Sequence, residues 1–145
     1  MSNTEMTYCE YDFDSFRRYI SDAMLRESLT SEMKRFSFED DVGFQKKLRQ
    51  VTKMVKRYNE GECVKMIYDD TLSGNGKCGM VLTNQRIIDT YLNKYVGLEE
   101  VVDIVPMEKY RILVKTANKE IGISCTGNHA LRLLFSRELK VLLHL

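Results

Sequence analysis

Three clusters of side chains in this sequence have types and spacings that could do covalent or coordination chemistry. Gly74-x-Gly76-x-x-Gly79-x-Val81 matches the glycine-rich pattern of phosphate-binding loops, in which missing Cβ atoms let backbone N–H groups approach an anion. Its flanks argue otherwise. An apolar strand-like run follows Gly79 where a dinucleotide fold needs a helix, Cys78 stands where a magnesium-holding Ser or Thr is required, and no kinase-type motif comes later. These glycines therefore read as a hairpin turn. Asp69 and Asp70, with Glu62 nearby, could bind metal or act as acid and base. No histidine or second carboxylate cluster joins them, so the pair reads as a strand end that caps a turn. Cys125 and His129 stand four apart, but Gly127 breaks any helix between them. Cys9, Cys63, Cys78 and Cys125 contain no C-x-x-C pair, which leaves reduced thiols behaving as small hydrophobes. The reading is of a non-enzyme, with no metal, cofactor or small-molecule substrate.

A fourth cluster is electrostatic. Lys46, Arg49, Lys53, Lys56 and Arg57 fall on one side of a helical wheel, with Lys47 at the margin and no acid between Val42 and Asn59. Phe44, Leu48, Val51, Val55 and Tyr58 form the opposite, apolar stripe. Such a basic face suits anionic lipid headgroups, a nucleic-acid backbone or an acidic protein patch. Base stacking is not supported, because both aromatics lie on the apolar side. A net charge of +1 over 145 residues argues against a dedicated nucleic-acid binder. The charge is uneven, however. Residues 1–33 carry three basic against seven acidic side chains, and residues 34–60 carry eight against four.

The elements that must position these residues follow from periodicity. Residues 1–11 are polar and expected to fray. Phe13, Phe16, Ile20, Ala23 and Met24 recur at helical spacing behind a cap at Asp12 or Asp14. Residues 28–41 read as a short helical turn and a break. A second helix is predicted over 41–59, capped by Ser37 or Asp40 and stopped by Asn59 and Gly61. Beyond Gly61 the apolar period falls to two. Strands are predicted near 62–69, 78–83, 86–92, 94–97, 100–105, 110–116 and 119–125, with Ala117-Asn118-Lys119 as a tight turn. A final helix runs from about 129 to 144 with Ala130, Leu131, Leu134, Phe135, Val141 and Leu142 as its apolar side, punctuated by Thr126-Gly127-Asn128. With no secretory h-region and no apolar run near the ~18–20 residues of a membrane span, the expected location is the cytoplasm.

Short antiparallel strands closed by one amphipathic helix are the plan of a pleckstrin-homology-like, partly open barrel. Gly61-Glu62, Tyr68-Asp69-Asp70-Thr71, Gly76-Lys77-x-Gly79 and Met80-Val81-Leu82-Thr83-x-x-Arg86-Ile87 resemble the opening hairpin of bacterial PH/GRAM-like domains. The later LEEVVDI, YRILVKT and EIGISC runs are similar to that family in order and spacing. The resemblance covers residues 61–145 and implies an α+β fold: a PH-like antiparallel barrel capped by a C-terminal helix. Two N-terminal helices, expected as a hairpin within residues 1–60, lie outside it. A chain beginning at Gly61 is expected to fold by itself. Members of this class bind lipids, peptides or each other, which implies a non-enzymatic interaction module. Lys65, Lys77 and Arg86 are scattered with Asp69 and Asp70 between them, unlike the basic cluster of phosphoinositide-binding members. The expected partner is another protein or a second copy, because the apolar faces of the N-terminal helices need cover. Anionic lipid or nucleic acid on the basic helix is the alternative.

Overall fold

The computed structural model describes residues 11–55 and 57–145. All of the expected frayed start except Tyr11, and the predicted site residue Lys56, lie outside the described residues. The fold is α+β, with one antiparallel sheet of five strands, one of three, and a C-terminal helix. Helix α1 (Phe13–Arg26) leads through a 3₁₀ segment (Thr30–Arg35) to strand β1 (Phe36–Phe38), and helix α2 (Phe44–Thr52) follows. Strands β2 (Val64–Asp69), β3 (Gly79–Thr83), β4 (Arg86–Asp89) and β5 (Lys94–Gly97) complete the larger sheet in the order β1-β2-β3-β4-β5. A 3₁₀ turn (Leu98–Glu100) passes the chain to β6 (Val101–Pro106), β7 (Arg111–Thr116) and β8 (Glu120–Ser124), then helix α3 (His129–Leu142). The two sheets form separate hydrogen-bonded units, so the structure is not a closed barrel.

The five-stranded sheet is buried on both faces, and strand periodicity divides the labour. Met66, Tyr68, Met80, Leu82, Ile87 and Val96 face the main core, which they share with α1, β1, the three-stranded sheet and α3. Ile67, Val81 and Ile88 face the other way and meet Phe44, Val51 and Val55 in a second core under α2. Capping follows the sequence at two helices. Asp12 accepts the Ser15 N–H at 3.0 Å at the start of α1, and Asn128 accepts the Leu131 N–H at 2.8 Å at the start of α3. Each satisfies an orphan donor of a first turn.

The N-terminal third departs from expectation in three ways. First, the two helices are not a hairpin: α1 lies against α3 in the main core, while α2 covers the opposite face of the larger sheet. Second, residues 36–38 form a strand that pairs with β2, Phe36 with Tyr68 and Phe38 with Met66. Three residues are too few to reveal a period, so sequence reading passes over them. Third, α2 is shorter than the predicted 41–59. Its N-cap is Gly43 in the left-handed region (φ +90°), not Ser37, which lies in β1, or Asp40. At its other end the Thr52 hydroxyl donates to the Leu48 carbonyl at 2.7 Å, a back-bond that competes with helix continuation. Val55 and Tyr58 still reach the second core, from a non-helical connection.

Two glycines of the Gly74–Gly79 loop are set by packing. A Cβ on Gly79 (φ +153°) would lie 2.0 Å from the Tyr68 carbonyl oxygen, and one on Gly76 (φ +75°) would lie 2.9 Å from Val51 Cγ1. Side chains close the sheet edges at β1, β5 and β6. Asp41 takes the Phe38 N–H at 2.8 Å, Glu100 the Gly97 N–H at 2.9 Å, and Asp103 the Ile104 N–H at 2.8 Å, while Pro106 has none to give.

The main core spans both sides of residue 60, with Phe36 wedged 4.9 Å from the Tyr68 ring and 5.1 Å from that of Phe135. Phe36→Ala is expected to cost about 3–5 kcal/mol by denaturant titration, and Gly79→Ala to prevent folding. A fragment starting at Gly61 loses this cover and is expected to melt without a cooperative transition. A sharp two-state melt of that fragment would show that the N-terminal third is dispensable to the core.

Candidate functional site

Helix α2 fixes the first predicted site residues, because burial of Phe44 and Val51 turns Lys46 and Arg49 outward, and both are exposed. Lys53 is the exposed C-cap of α2, and Arg57 is exposed on the connection to β2. None of these four has an ion-pair partner among the described residues. Only Lys46 and Arg49 of the four are helical. Lys47 turns inward instead. Its ammonium pairs with Asp69 and donates to the Gly74 carbonyl, tying α2 to the glycine loop.

Below Arg57 lies a groove of about 490 Å³ lined by Val55, Arg57, Tyr58, Asn59, Arg86 and Tyr95, with Glu60, Ile88 and Asn93 at its margins. Its floor is a buried ion pair. Arg86 Nε and Nη2 donate to the two oxygens of Glu62 at 2.7 and 2.9 Å. The Glu62 side chain is fully enclosed and also accepts the Thr83 hydroxyl at 2.6 Å and the Asn59 N–H at 2.8 Å. Arg86 Nη2 reaches the Arg57 carbonyl at 2.6 Å, and its guanidinium lies 4.7 Å from the Tyr95 ring centroid. Ile88 and Tyr95 are cross-strand partners, so both present to the α2 face of the sheet, as Arg86 does two residues earlier. The groove is thus walled by two guanidinium groups, a half-exposed tyrosine and side-chain amides. It can receive an anionic group with hydrogen-bonding capacity.

Burial pushes the Glu62 carboxyl up, but hydrogen bonds from Arg86, Thr83 and the Asn59 N–H outweigh it and hold the group below the ordinary carboxylate range. Asp69 behaves likewise: burial raises it, and Lys47 and Thr71 bring it below its usual value. Both are charged at neutral pH and fully committed to the fold.

The remaining candidates have structural roles. Asp69 takes the Thr71 N–H at 3.0 Å and the Gly76 N–H at 3.0 Å, so the glycine loop turns its donors inward onto a carboxylate and leaves no phosphate cradle. Asp70 takes the Ser124 hydroxyl at 2.6 Å, the Thr126 N–H at 3.0 Å and the Tyr68 hydroxyl at 3.0 Å, joining the two sheets. Cys125 is buried, 3.3 Å from the Tyr68 hydroxyl, and burial pushes its thiol up to about 11, which makes it inert. His129 is exposed at the first turn of α3. Among the described residues no group of three or more His, Cys, Asp or Glu could hold a metal ion, and no helix is long and apolar enough to cross a membrane.

Sequence reasoning singled out Arg57 as part of a basic helix face, but not the groove or its other lining residues Arg86, Tyr95, Asn59 and Asn93. The available signal was Glu62 with Thr83-x-x-Arg86, which the PH/GRAM-like resemblance quotes and the structure joins in one network. No protein-family model matches the chain, and no curated protein or solved structure is significantly similar to it.

Because the folded-state values of Glu62 and Asp69 are depressed, the stability they contribute is present above the unfolded carboxylate range and lost as pH falls through the folded values. Glu62→Gln strands the Arg86 charge and is expected to cost about 3 kcal/mol at pH 7. It should also flatten the acid limb of a plot of urea midpoint against pH. An unchanged acid limb in this variant would show that the pair is not linked to folding.

Proposed function

We propose that the chain is a non-catalytic, PH-like protein-interaction module that docks an acidic segment of a partner protein along its α2 edge and in the groove below. The PH-like reading is supported by the order of β2–β5, β6–β8 and α3, which follows the plan of that superfold, with α1, β1 and α2 as additions. The binding reading rests on one observation. Lys46, Arg49, Lys53 and Arg57 are exposed cations without ion-pair partners among the described residues, and Arg57 lines a groove that also holds Arg86, Asn59, Asn93 and Tyr95.

The concavity of the site favours an inserted chain segment over a flat bilayer, and the apolar side of α2 is already committed to Ile67, Val81 and Ile88. Glu60 at the groove margin and the near-neutral net charge disfavour a continuous phosphate backbone. The motive for self-association through the N-terminal helices is met within the chain, since Phe16, Ile20, Met24, Phe44 and Val51 are buried. The module works in the cytoplasm in this reading.

Fluorescence anisotropy with labelled Asp/Glu-rich peptides should give binding that weakens as salt rises. Lys53→Glu and Arg57→Glu should each lower affinity about tenfold, ~1.4 kcal/mol, while the double variant stays within about 0.5 kcal/mol of the parent stability. Binding to anionic vesicles or single-stranded DNA in preference to every acidic peptide would replace this reading with the anionic-surface alternative. No binding of any of the three at low salt would remove the site.

A further inference from the structure

Helix α3 carries a second apolar face that the core does not use. Leu131, Leu134, Phe135, Leu139 and Leu142 are buried. Val141, which sequence periodicity assigns to the same side, is instead half-exposed at 52%, and Leu133 is 46% exposed. At 100° per residue, Leu133, Arg137, Lys140 and Val141 share the face opposite the core. They border a groove of about 350 Å³ whose other wall is Ile104 and Pro106 of β6. Beside it, Ser136 is 2% exposed and its hydroxyl has no hydrogen-bond partner among the described residues, the kind of orphan a buried site does not ordinarily leave.

We propose that a second copy of this chain covers this face, in a two-fold contact of α3 against α3. The rim carries both signs of charge, and its exposed members are two cations and two carboxylates. Arg137 pairs with Glu27 at 3.0 Å and with Glu138 at 3.3 Å, and Lys140 pairs with Asp103 at 3.2 Å. Except for Glu138, these side chains are one-third to one-half exposed. A rim holding both signs is complementary to itself, as an isologous contact requires. The α2 edge, with its unpaired cations, would repel its own copy. Strand-to-strand pairing is closed at β1, β5 and β6 by Asp41, Glu100, Asp103 and Pro106.

The symmetry fixes the contact. If two antiparallel α3 helices cross at Arg137, residue 133 of one copy meets residue 141 of the other, four residues either side of the axis. Leu133 then covers Val141 twice over. This contact is independent of the α2 edge, so the chain presents two acidic-segment sites per assembly.

Sedimentation equilibrium of the full chain should show a monomer–dimer equilibrium, and Leu133→Asp and Val141→Asp should each weaken it at least tenfold. Both positions are exposed, so circular dichroism melts should match the parent and separate loss of contact from loss of fold. Leu133→Cys and Val141→Cys chains, mixed with a short thiol-specific cross-linker, should yield the mixed pair above the background from the native cysteines. Leu133→Cys alone should not. A monomer at 100 µM, on the order of the weakest specific contacts, would overturn the proposal. So would a dimer indifferent to both aspartates, or equal cross-linking of Leu133→Cys to itself. Anionic-peptide binding is read separately and does not depend on the outcome.

Discussion

The pairing of Glu62 with Arg86 is the interaction on which the candidate site depends. A guanidinium on a sheet face that also carries Ile67, Val81 and Ile88 would be costly if left without a counter-charge. Glu62 answers it with two hydrogen bonds and is itself satisfied by Thr83 and the Asn59 N–H. Arg86 then has a donor to spare for the Arg57 carbonyl, and this bond fixes the path of the chain after α2. The exposed Arg57 side chain, the groove beneath it and the position of Tyr95 all follow from that one buried pair. It acts as scaffold, and the free cations around it remain available to a ligand.

The same logic explains why the glycine loop and the aspartates are not a site. Asp69 collects Lys47, Thr71 and the Gly76 N–H, and Asp70 collects Tyr68, Ser124 and Thr126. Asp69, Asp70 and Lys47 are thus spent on holding α2, the loop and the three-stranded sheet to one another. The contrast with Lys46, Arg49, Lys53 and Arg57 is physical: buried charges are paired because burial demands it, whereas these four remain in solvent.

Much of the fold was legible because its strands alternate or run continuously apolar. Six strands fall within the expected stretches, β6 overruns its own by one residue, and the start of the last helix is set by Asn128 as expected. What escaped is what periodicity cannot encode. Strand β1 is three residues long and takes its conformation from pairing with β2. Helix α2 has the wheel of a longer helix, yet Val55 and Tyr58 reach the same core from beyond its C-terminal end. Val141 shares the helical period of α3 but lies beyond the reach of the core. At the site, the cations were visible as a composition bias. The groove was not, because it joins residues 55–60 to residues 86–95 across the sheet.

The central claim is that acidic ligands enter beside Arg57 and Tyr95, and backbone amide mapping tests it most directly. In ¹H–¹⁵N correlation spectra titrated with an acidic peptide, the account predicts shifts concentrated at Arg49, Lys53, Arg57, Asn59, Asn93 and Tyr95, with residues 71–77 and α3 unmoved. Shifts confined to the 71–77 loop or to α3, with the α2 edge silent, would contradict it.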